Sequence, residues 1–134
     1  MRFFIGSVAC ILMTGCSSII NEVPQKPKNL YKLVAVANTN VDKNGDTCAD
    51  ATGIIQILHN KIVGSAVDTF GRRYKVSGAI DSANNITGGF AITIITAVDY
   101  QGSLSLDNKK ANGIWEDIYA CSGTWSSQKV ISKN

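Results

Sequence analysis

Beyond residue 29 the chain alternates apolar and polar positions with the period of two that a half-buried β-strand requires. Residues 30–37, LYKLVAVA, form a short, β-branched first strand. A polar loop follows over 38–50, centred on Asn44-Gly45. Two apolar segments, 53–59 and 62–68, flank His59-Asn60-Lys61 and predict a tight hairpin. Residues 72–80 alternate again, with Tyr74, Val76, Gly78 and Ile80 on one face. After a turn at 81–85 comes a longer segment, 86–98, in which Ile86, Gly88, Phe90, Ile92 and Ile94 share a face. Residues 100–106 place Leu104 and Leu106 together, and the last pair of strands spans 113–119 and 124–131.

The pattern predicts an all-β domain of about eight strands, because no window offers a helix-long stretch at helical spacing with caps. The best helical candidate, 91–100, is too rich in Ile, Thr and Val. The connections are too short for βαβ crossovers, so the sheet should be an antiparallel meander. Eight such strands can close into a small β-barrel, which removes exposed edges; a β-sandwich is the alternative. Glycines recur through the strands, where they mark sharp coiling or a close backbone approach. Gly113-Ile114-Trp115 and Gly123-Thr124-Trp125 form an echo around Cys121, read as equivalent positions on the last hairpin with each Gly making room beside a ring.

Composition narrows the chemistry. The chain has 134 residues, 45% hydrophobic and 17% charged, enough for one domain with a modest core. A net charge of +3 is too small and dispersed to indicate nucleic acid. The single histidine, His59, falls at a hairpin tip, which leaves no zinc set and no base for a Ser or Thr nucleophile. Asp42, Asn44 and Asp46 have the i, i+2, i+4 spacing of a calcium loop, but Thr47 and Gly53 stand where that loop needs Gly and Glu, and an Asn-Gly turn explains the same letters. Glu116 and Asp117 are adjacent and so point to opposite faces of a strand, unlike a glycosidase pair. No catalytic residue, metal ligand or cofactor is expected. Candidate interaction residues are the basic stretch Arg72, Arg73 and Lys75, and the rings of Trp115 and Trp125, for which core duty is the favoured alternative.

The amino terminus carries a separate signal. Met1-Arg2 precedes an apolar run ending in Leu12-Met13-Thr14-Gly15-Cys16, too short to span a bilayer. This segment resembles the bacterial lipoprotein signal, with Gly15 as the small residue before the cut and Met13 as a departure from the usual Leu. The resemblance implies cleavage after residue 15, acylation of Cys16 and, with Ser17 rather than Asp next, passage to the outer membrane. Residues 1–15 are then a signal peptide, 16–29 an acylated tether, and 30–134 a single all-β domain. Cys48 and Cys121 are left in an oxidising compartment and should form a disulfide. The GxW units and the Cys-Ser-Gly-Thr-Trp run resemble small Gly-rich bacterial envelope domains of unknown function. The expected role is a non-catalytic protein-binding or structural module of the cell envelope, with another envelope protein as partner and the membrane reached through Cys16. The alternatives are a lipocalin-like carrier, with Phe90, Ile92, Trp115 and Trp125 lining its cavity, or an inhibitor of a hydrolase that presents the 38–48 loop.

Overall fold

In the computed structural model, residues 29–92 and 95–130 are described; the expected signal peptide, Cys16 and all but the last residue of the expected tether lie outside them. Eight antiparallel strands follow one another: β1 (Leu30–Ala37), β2 (Ala51–Leu58), β3 (Lys61–Asp68), β4 (Arg73–Ile80), β5 (Asn85–Ile92), β6 (Ile95–Leu104), β7 (Lys110–Asp117) and β8 (Ser122–Lys129). Each pairs with the next, and β1 also pairs with β8, so the meander closes into a barrel. Closure leaves no edge strand, and it decides for the barrel over the sandwich.

One local device builds most of the turns. Asp42, Asp68, Asp81 and Asp117 each accept, through Oδ1, the backbone N–H groups two and four residues on. In each, the residue three positions on has positive φ: Gly45, Gly71, Asn84 and Ala120. This is a tight turn followed by a left-handed residue, held by an aspartate in the place a backbone acceptor would otherwise fill. The β6–β7 turn uses Ser105 and Asp107 instead, with Asn108 at positive φ. The β2–β3 hairpin is shorter and has His59 and Asn60 both at positive φ, the two-residue turn that matches strand twist.

The segment expected to run unbroken over 86–98 is two strands. β5 ends at Ile92, β6 begins at Ile95, and what was read as a boundary near Asp99 is mid-strand, paired with Gly89 and Glu116. The shared face holds for Ile86, Gly88 and Phe90; the register then shifts between Phe90 and Ala91, and Ile92 is exposed, while Ile94 lies outside the described residues. Leu104 and Leu106 also part company, since Leu104 packs on the core and Leu106 stands in the turn after it.

Inward positions fill most of the barrel. Ile62, Val76 and Ile86 are the most deeply buried, and Phe90, Tyr100 and Trp125 form a chain of edge-to-face rings. The GxW echo works through register: Gly113 lies opposite Trp125, and Trp115 opposite Gly123. A Cβ on Gly123 would come within 2.9 Å of the Trp115 ring, and one on Gly102 within 2.7 Å of the Trp125 ring. Two indoles therefore fit inside a narrow barrel because each packs where a glycine leaves the backbone bare. Both N–H groups are satisfied, Trp115 donating to the Thr124 carbonyl and Trp125 to the Gln101 carbonyl. One end is shut by Tyr31, whose hydroxyl donates to the Asn108 carbonyl.

Candidate functional site

The opposite end is open. The β1–β2, β3–β4 and β7–β8 connections rim a cup of about 790 Å³ that reaches down to inward side chains of the barrel. Its apolar wall comes from Ala35, Ala51, Phe90, Val98 and Trp115, and its rim from Asp42, Asp68, Arg72, Asp117 and Tyr119. The hollow has a simple cause. Ala35 and Ala51 face inward as direct cross-strand partners at this end, where the lower strands carry Leu, Ile and large rings.

Asp68 organises one side of the mouth. It is buried, and its two oxygens accept from the Phe70 and Arg72 backbone N–H, from Arg72 Nε at 2.7 Å and from the Tyr74 hydroxyl at 2.8 Å. Burial alone would raise its pKa, but the hydrogen bonds from Tyr74, Arg72 and Phe70 together outweigh it and hold the carboxyl below its ordinary value. Burial first, then the bond to Asp68, pushes the Tyr74 hydroxyl up to about 12. Arg72 stays half-exposed, stacked over the exposed Phe70 ring. At neutral pH the group is therefore a fixed carboxylate, a guanidinium and a neutral phenol.

Asp68→Asn tests that arrangement. Because the folded pKa is depressed, the carboxylate stabilises the domain above the unfolded-state value near about 3.9, and this is lost as pH falls through the folded value. The variant should cost about 1–2 kcal/mol at pH 7, a modest figure because solvent screens the half-exposed Arg72. The gap should narrow as pH falls through the folded value of the carboxyl; urea midpoints measured from pH 7 downward check this, and a constant gap defeats it.

The residues singled out from sequence separate in space. Arg72 turns to the mouth, whereas Arg73 and Lys75 project from the outer face of β4, so the basic stretch is not one patch. Of the side chains expected to line a cavity, Phe90, Ile92 and Trp115 do line the cup, and Trp125 sits below it in the core. The disulfide joins Cys48 of the β1–β2 loop to Cys121 immediately before β8, with 5.8 Å between Cα atoms. That loop is the one the inhibitor reading would present. It lies over the mouth, with Lys43 N–H donating to the Tyr119 carbonyl and its own Val41–Thr47 bridge. Asp42, read as a turn or a calcium ligand, spends Oδ1 on the N–H groups of Asn44 and Asp46.

Sequence reasoning missed Asp68, Tyr74 and Asp117 as rim residues. The available signal was the recurring Asp, with Gly or Asn three residues later, at strand ends; Ala120 disguises the fourth copy. No family model matches the chain, and no curated protein matches it.

Proposed function

We propose that the protein is a non-catalytic binding module of the bacterial cell envelope, anchored at the outer membrane through acylated Cys16, with the cup as its working surface. The observation that carries the binding reading is the concave, apolar-walled hollow of about 790 Å³ inside an otherwise filled barrel. Small-ligand sites fall in the range of roughly 300–1,000 Å³, with an apolar body and a few polar groups at the rim. A carrier of a small apolar molecule fits this geometry better than a flat protein-docking face does. The rim carboxylates Asp42, Asp68 and Asp117 are engaged with turn N–H groups, which suits a scaffold more than acid–base chemistry.

A protein partner is the second reading, favoured by three apolar side chains exposed around the mouth, Phe70, Ile118 and Tyr119. It would place an apolar side chain in the same cup.

The test uses N-phenyl-1-naphthylamine, a neutral apolar probe whose emission rises on burial. Saturable one-to-one binding is expected. Ala51→Phe, which fills the cup from its wall, should weaken it at least tenfold with the unfolding midpoint within a few degrees of the parent. Binding that does not saturate, or that ignores Ala51→Phe, refutes the cup as a site.

A further inference from the structure

The two ends of the barrel differ in charge. The shut end, formed by the turns at 59–60, 81–84 and 105–109 together with the outer ends of β1 and β8, carries Lys32, Lys61, Lys109, Lys110 and Lys129. Its described acids are Asp81 and Asp107, both used to hold turns. The mouth half carries seven carboxylates, Asp42, Asp46, Asp50, Asp68, Asp99, Glu116 and Asp117, against Lys43, Arg72, Arg73 and Lys75. The shut end thus has an excess of three positive charges and the mouth half an excess of three negative ones.

The same shut end exposes apolar side chains among its lysines. Leu106, at the β6–β7 turn, is 95% exposed, and Leu58 and Val130 are exposed at strand ends of the same end of the barrel. The chain also enters the barrel here, at Leu30, so the tether from Cys16 leads to this end.

We propose that the shut end is a membrane-docking surface that rests on an anionic phospholipid bilayer, with Leu106 inserted and the lysines at headgroup level. Basic residues around an exposed apolar side chain are what such a surface needs, and the acidic mouth is repelled from it. The cup then opens away from the bilayer, and its ligand arrives from the aqueous side rather than from the acyl chains. This orientation builds on the cup reading, but the docking itself does not depend on it or on acylation.

The barrel closes its own core and disulfide within residues 29–130, so the chain from Ser17, without any acyl group, is the material to use. Its flotation with vesicles of phosphatidylcholine alone, and with one-quarter phosphatidylglycerol, gives the partition coefficients. Three excess charges should favour the anionic vesicles about 100-fold at low salt, most of it lost at 0.5 M. Replacing Lys32, Lys61, Lys109 and Lys110 together by Gln should remove that preference, and Leu106→Ser should weaken binding about tenfold. Equal partition into both vesicles, or a four-lysine variant that floats like the parent, overturns the proposal. Orientation is read with Leu106→Trp and Phe70→Trp: doxyl-labelled lipid should quench the first and spare the second, and the reverse result overturns it. Naphthylamine binding by the four-lysine variant separates a failure of docking from a failure of the cup, and Cys16→Ser, followed by membrane fractionation, tests the anchor alone.

Discussion

Removal of the disulfide, by Cys48→Ala with Cys121→Ala, is expected to lower the unfolding free energy by about 3–4 kcal/mol and the melting midpoint by roughly 15–25 °C. The bond spans 73 residues and so encloses β2 through β7. Cutting it releases a loop whose closure is worth about 4.4 kcal/mol in chain entropy. The folded state loses less, because the β1–β2 loop keeps its Val41–Thr47 bridge and its bond from Lys43 to the Tyr119 carbonyl. The effect therefore acts mainly through the unfolded chain, and the variant should stay folded at 25 °C if net stability lies at the usual 5–15 kcal/mol. Thermal unfolding of the parent with and without reductant, beside the double variant, measures it. Reduced parent and variant should coincide, and a midpoint shift under about 5 °C would show that the staple contributes little.

The barrel could be read in advance because its signals are local. Period-two alternation in β4 gives the inward set of Tyr74, Val76, Gly78 and Ile80 directly, and the β2–β3 turn has the residues that tolerate positive φ. The β5–β6 boundary failed for an equally local reason. The stretch Ala91-Ile92-Thr93-Ile94-Ile95-Thr96 contains no Gly, Pro, Asn or Asp, so nothing in its chemistry announces a strand end. Asp99 looked like a breaker, but it stands on the outer face of β6, where a polar side chain costs nothing. Counting strands survived the error because the misplaced boundary moved between neighbours without removing one.

The cup was less legible than the barrel, since it depends on where small residues meet across strands. Ala35 and Ala51 are distant in sequence and become partners only through the β1–β2 register, which the long 38–50 connection does not reveal. Burial of Asp68 was hidden likewise. In the sequence it is one more polar residue after a strand; its role appears once Tyr74 and Arg72 fold back on it across the next turn. Trp115 and Trp125 look equivalent in the GxW echo, yet the two-residue-per-face rise puts them at different depths. Both are buried, and only Trp115 also borders the cup.

That difference in depth has a measurable consequence: Trp125→Ala should destabilise the domain by about 3–5 kcal/mol, and Trp115→Ala by clearly less. Trp125 is 3% exposed, packs edge-to-face on Tyr100 at 5.5 Å between centroids, and covers Gly102. Its removal leaves a sealed void between strands whose backbones are fixed by the closed hydrogen-bond ladder, so little collapse can offset the loss. Each truncation also strips one carbonyl of its indole donor, Gln101 for Trp125 and Thr124 for Trp115, so that loss does not separate the two. Trp115 borders a hollow that is already open, so truncation enlarges the cup and adds mainly the transfer cost of the ring. Urea unfolding of both variants gives the order, and naphthylamine affinity gives its counterpart, with Trp115→Ala altering binding more than Trp125→Ala does. If Trp115→Ala proves the more costly to stability, the ring is core and the wall of the cup must be drawn elsewhere.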